Sequence, residues 1–220
     1  MGLHLHLFPD YLEAAGLPYK ADQVWGGGFT EGYDVLTTAY TYAEMKQLLT
    51  FSQQQFLQAG LPSPRLYRAG AWFANLDTLK ALQDTGFWAD TSGRTKYTFG
   101  TRAISGFWDL KADTQPYYPS QFDQNRAQPP QLTILEIPNN GADDYAYSAA
   151  QMIDRFWTNY DQTPLLKPRQ ITYLSHPQWF DGRRQQTMAQ VFTLINQHRL
   201  RDGLGPVVMT SLSQVYQAFK

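Results

Sequence analysis

Segments that read as β-strands take turns with segments that read as helices along nearly the whole chain, and this alternation restricts the fold more than any other feature. Leu3-His4-Leu5-His6-Leu7 alternates with period two, the pattern of a half-buried strand. A helix is expected over 41–59, with Thr41 as N-cap, Glu44 at the capping-box position, a stripe of Met45, Leu48, Leu49 and Phe56, and Gly60 at its end. Further strands are expected at 65–69, 87–91, 132–137, 171–175 and 206–209, and further helices at 75–85, 148–160, 183–200 and 211–219. Strand–helix–strand order implies right-handed crossovers and a parallel sheet, open or closed into a barrel. With 220 residues, no internal repeat and no linker-like shift in composition, one α/β domain over 1–220 is expected.

Two stretches interrupt this order. Residues 8–36 are rich in Gly, Pro and aromatics, including Trp25-Gly26-Gly27-Gly28, and 92–130 form a second irregular region. Loops of such length in a compact domain usually carry function or are disordered.

Composition removes several classes. Eighteen basic against nineteen acidic residues leave a net charge of −1, without the basic excess of a nucleic-acid or anionic-membrane binder. No apolar run has the length of a membrane span. The first ten residues show neither a basic lead nor an apolar signal core, so no signal peptide is visible and the cytoplasm is favoured. Cysteine is absent, so any metal must be held by His, Asp or Glu. Aromatic residues reach 15%, and rings can serve a core or stack on sugar faces.

In parallel sheets and barrels, catalytic groups gather at the C-terminal ends of strands. The polar residues expected there are His4, His6, Arg68, Asp90, Glu136 and His176. Residues i and i+2 of a strand share a face, so His4 and His6 can reach one divalent ion such as zinc. They could equally be the polar side of an edge strand. A third, carboxylate ligand is not obvious nearby; Asp10, then Glu13, are the nearest acids. Arg68 could be an ion-pair partner, Asp90 an Asx-turn residue and His176 a strand-end turn residue.

Taken in order, these segments resemble the polysaccharide deacetylase family over nearly the whole chain. Gly2-Leu3-His4-Leu5-His6 is similar to its metal-binding histidine motif, and Pro64 to Trp72 with Leu79-Lys80-Ala81-Leu82 and Gly86-Phe87 to its arginine motif and following elements. Ala89-Asp90-Thr91-Ser92, Leu135-Glu136-Ile137-Pro138, Leu174-Ser175-His176-Pro177 and the 207–212 segment match later strands. The resemblance implies a deformed (β/α) barrel and metal-dependent removal of acetyl groups from a glycan or amino sugar. His4 and His6 would ligate the metal, Arg68 would orient a catalytic base, and His176, tuned by Asp90, would protonate the leaving group. Leu174 would line the acetyl pocket, with Trp72 and Trp179 against the sugar.

The family's first motif, a strand ending in paired aspartates that supplies a ligand and the base, has no counterpart before His4. Asp143-Asp144 is the one Asp pair, and after Asn139-Asn140-Gly141-Ala142 it reads as a solvated loop. The barrel is therefore expected to be N-terminally incomplete, with Asp90 standing in as the Arg68 partner. Its open edges, at the His4 and Val207 strands, would close on each other or be covered by a second copy in a homodimer. Two other readings remain open. One is a non-catalytic glycan-binding or scaffold protein using Trp25, Trp72, Trp108 and Trp179 as platforms. The other is a glycoside hydrolase with Glu136 and Asp90 as its carboxylates.

Overall fold

The computed structural model describes residues 1–25, 34–99 and 102–220, with the side chain of Trp179 outside the description. Its elements run β1 (Gly2–Leu5), α1 (Pro9–Ala14), α2 (Tyr42–Gln58), β2 (Leu66–Ala69), α3 (Leu76–Asp84), β3 (Ala89–Asp90), β4 (Thr98–Phe99) and β5 (Ile104–Ser105). They continue with β6 (Leu135–Glu136), β7 (Ala142–Asp143), α4 (Ala149–Asn159), β8 (Tyr173–Leu174), α5 (Gly182–Asn196) and α6 (Leu212–Phe219). The protein is a mixed α/β fold around a parallel sheet of order β1-β2-β3-β6, with β7 and β8 forming a second parallel pair. An antiparallel β4–β5 hairpin lies inside the second irregular region, and α1 inside the first.

Each element follows from its residues. In β1, Leu3 and Leu5 are buried while His4 faces outward, and the register sets His4 beside Arg68 of β2. Helix α2 starts at a complete capping box between Thr41 and Glu44, and its Met45, Leu48 and Leu49 are fully buried. Gly60, at φ +72°, takes the left-handed turn that stops it. Helix α3 is capped by Asn75, whose side chain accepts from the Thr78 amide, and it packs on α2. The largest core joins β1, α1, α2, α3 and the hydrophobic end of the second irregular region. A second core lies between α4 and α5, around Met152, Phe156, Val191 and Ile195. A third seats Val215 of α6 against Leu66, Ala89, Leu135 and Ile137.

Four expectations change. Residues 206–209 form no strand: Val207 makes a single bridge to Arg199, and Val208 is 62% exposed. Among the described residues β1 pairs with β2 alone, so no closure of β1 onto that segment forms. Asp143 and Asp144 are not a solvated loop; they are 1% and 2% exposed, with Asp143 in β7 opposite Leu174. Trp108 is core, 1% exposed, its indole N–H donating to the Trp72 carbonyl at 3.0 Å, so it offers no platform. No helix among the described residues is long and apolar enough to cross a membrane.

Candidate metal and glycan site

The C-terminal ends of β1, β2 and β8 open onto one cavity of about 570 Å³. His4, His6, Arg68, Trp72, Leu174 and His176 all line it, joined by Trp25, Phe99 and Tyr145. Six of the eight residues to which the family resemblance gives a role therefore meet in one place. Asp90 does not line it, and the side chain of Trp179 lies outside the described residues, as do residues 26–28 of the glycine run.

The histidine pair is held from behind. His4 Nδ1 lies 3.2 Å from the Arg68 carbonyl, an acceptor only, so Nδ1 carries the proton. His6 Nδ1 donates to Asp34 Oδ2, whose other oxygen accepts from the Leu7 amide at 2.9 Å. Both tautomers are thus fixed, and both Nε2 lone pairs turn towards each other at 3.0 Å. A proton on one Nε2 makes this contact a hydrogen bond, and with both rings in the Nδ1–H form a shared cation would satisfy both lone pairs. Solvent reaches His4 through the cavity mouth, but the protein packed round the ring, and His6 beside it, push its pKa down to about 4. The imidazole is neutral near pH 7, as a ligand must be.

This donor set fits zinc or a similar divalent ion. Among the described residues no group of three or more His, Cys, Asp or Glu forms a metal cluster, so two nitrogens are what these residues offer. Asp10 and Glu13, the acids nearest in sequence, are exposed, and the acid that reaches the pair is Asp34. Asp34 sits behind His6 as its orienting carboxylate. Nothing local in the sequence announces it, because the contact spans 28 residues across the glycine-rich region.

Arg68 is half-buried, and its partner is not Asp90. Its Nε and Nη2 donate to the Thr91 carbonyl and hydroxyl, both at 3.2 Å. Burial lowers its pKa to about 10 against the opposing pull of Asp90 and Glu136, so it stays charged. Asp90 instead lies opposite Glu136 of β6, both carboxyls fully buried. Ser92 donates to Asp90 at 2.7 Å, and the Gly93 amide to Glu136 at 2.8 Å. Burial raises Asp90 to about 6, with Glu136 opposing the rise, and raises Glu136 well above the carboxylate range, with Asp90 adding to it.

His176 is tuned by other acids than expected. Burial lowers its pKa, and Asp143 and Asp144 oppose that. Asp144 accepts from the Ser175 hydroxyl at 2.6 Å, and Asp143 pairs with Arg94 at 3.5 Å. The Arg94 guanidinium lies 4.1 Å over the Trp72 ring, so one buried cation fixes both the cavity wall and the acid pair. Arg94, Tyr145 and Asp34 complete this surround, and none of the three carries a recognisable sequence motif.

A scan against protein-family models and a search of curated proteins found no match to this chain.

Proposed function

We propose that this chain is a metal-dependent hydrolase domain of polysaccharide-deacetylase type, on a deformed (β/α) barrel, acting on acetyl groups of a glycan or amino sugar. The observation that carries the reading is the pair of Nδ1-tethered imidazoles, Nε2 to Nε2 at 3.0 Å, in one cavity with Arg68, Leu174 and His176. His4 and His6 would hold a divalent ion, zinc by ligand type. When bound, the ion polarises the acetyl carbonyl and activates a water. Leu174 and the Trp72 ring form apolar wall for the acetyl methyl, and Arg68 fixes the Thr91 turn at the cavity edge. His176 delivers the proton to the departing amine or hydroxyl, with Asp143 and Asp144 favouring its protonated form.

No carboxylate lines the cavity among the described residues, so the base of such a reaction is missing from them and turnover is expected to be slow. The test titrates zinc calorimetrically and measures acetate release from acetylated chito-oligosaccharides, with and without formate as an external base. One zinc per chain, lost in His4→Ala and His6→Ala, and zinc-dependent release that formate raises and His176→Ala abolishes, is the expected result. Absence of zinc binding, or release indifferent to His176→Ala, would refute the proposal. The ring-lined wall of Trp25, Phe99 and Tyr145 favours a second reading, a non-catalytic glycan binder, which predicts glycan binding without release under any condition.

A further inference from the structure

Beside the cavity lies a second, more open hollow of about 540 Å³, lined by Phe180, Asp181 and Arg184. The two share Tyr145, Pro177 and Gln178, so they are one continuous groove with Tyr145 at the junction. Aromatic rings mark the route along it. Trp25 stands 6.0 Å from His6, Phe99 5.2 Å from Trp25 and Tyr145 6.4 Å from Phe99, centroid to centroid. Tyr145 is 47% exposed and Phe180 40%, and the Arg184 guanidinium lies 5.4 Å over the Tyr145 ring while bonded to Asp181 at 2.7 Å.

We propose that this second hollow is a subsite for a neighbouring sugar, so that the ligand is a glycan chain of two or more residues, read by Tyr145 as the specificity-determining residue. The inference rests on the glycan reading above. A pyranose ring has an apolar C–H face and a rim of hydroxyls. The junction offers the matching pair, a ring stiffened by a guanidinium for the face, and Asp181, Arg184 and Gln178 for the rim. The first cavity alone lies in the range of about 300–1,000 Å³ typical of small-ligand sites. A single acetylated sugar therefore fits there without touching the second hollow, and only a longer ligand gains from it.

The test uses the full 220-residue chain and β-1,4-linked N-acetylglucosamine oligomers of one to four residues, with binding followed by calorimetry. Affinity should rise by about tenfold from one residue to two or three, since a stacked ring of this kind contributes on the order of 1 kcal/mol. Phe180→Ala, which touches the second hollow alone, should reduce that gain and leave the monosaccharide unchanged; Tyr145→Ala should remove the gain and Tyr145→Phe restore it. Equal affinity at all lengths, equal weakening of monomer and oligomers by Phe180→Ala, or no binding at any length would overturn the subsite. Acetate release from the monosaccharide reports separately on the deacetylase reading. Release without length dependence defeats the subsite alone, and length-dependent binding without release defeats the deacetylase alone.

Discussion

Asp34 is the residue on which the histidine pair depends without touching the cavity centre. Its two oxygens are spent on His6 Nδ1 and the Leu7 amide, which fixes the imidazole in one tautomer and one orientation. Asp34→Asn keeps the shape and weakens that hold. Removing such a carboxylate from behind a ligating histidine typically lowers metal affinity by about 10–100-fold. Zinc titration of the variant should show a loss in that range, with the fold unchanged by circular dichroism. The Asp90–Glu136 pair makes a different claim, about stability. Both carboxyls hold their protons to higher pH in the folded chain than in the unfolded one. The unfolded state therefore releases protons first as pH rises, and stability falls from about pH 4 upward, through Asp90's pKa of about 6 and on towards that of Glu136. Arg68 faces the pair and softens the fall, while the buried Tyr117 phenol does not ionise in this range. Glu136→Gln leaves an amide able to donate to Asp90 and removes one proton from the balance. Urea midpoints should then change less between pH 4.5 and 8, with the variant the more stable at pH 8 by on the order of 1–3 kcal/mol. A variant as pH-sensitive as the wild type would contradict this.

Elements differ in how much of themselves they wrote into the sequence. Helix α2 was legible because it combines a cap residue with an apolar stripe, and its cap forms as expected; α3 was expected over 75–85, and the structure adds Asn75 as its cap. Strand β1 was legible because alternation needs only a few residues to show. Strands β3, β6 and β8 fall inside the expected runs at 87–91, 132–137 and 171–175 but shrink to two residues, and β7, also two residues long, was missed because its partner lies far along the chain. The Pro206-Val207-Val208-Met209 run has strand-like composition, but with a single bridge to Arg199 it lacks a neighbour to make it one. The site divides the same way: His4 and His6 declare themselves by spacing, while Asp34, Arg94 and the Asp143-Asp144 pair depend on contacts no local pattern encodes. Gly141 gives the element-scale test. A Cβ there would sit 2.6 Å from the Thr172 carbonyl oxygen and 2.9 Å from Ile171 Cγ2, so β7 can approach the segment before β8 only without a side chain. Gly141→Ala should destabilise the chain by about 1–3 kcal/mol and, by moving β8 with its Leu174 and His176, weaken glycan binding while zinc binding persists. Thermal melts and the two titrations together check both halves of this expectation.

At the scale of the molecule, the cavity joins parts of two sheets. His4 and Arg68 belong to strands of the first sheet and His6 directly follows β1, whereas Leu174 ends β8 of the second parallel pair and His176 lies just beyond it. A metal held by the first part acts on the folded state alone and should stabilise it by mass action. At a hundredfold excess over its dissociation constant the gain is about 2.7 kcal/mol, or roughly 5–10 °C in Tm for a chain of this size. The shift should vanish in His4→Ala; an equal shift in that variant would mean that zinc binds elsewhere.

The alternation of β1 has a consequence for error during folding. A slip of one residue against β2 would turn Leu3 and Leu5 out to water and drive both imidazoles into the core together, since every side chain of the strand changes face at once. No slipped chain of this kind keeps half a donor pair. If the pair binds zinc as proposed, metal retention would proofread the first strand pairing, and a refolded population sorted on a metal column would be sorted by register.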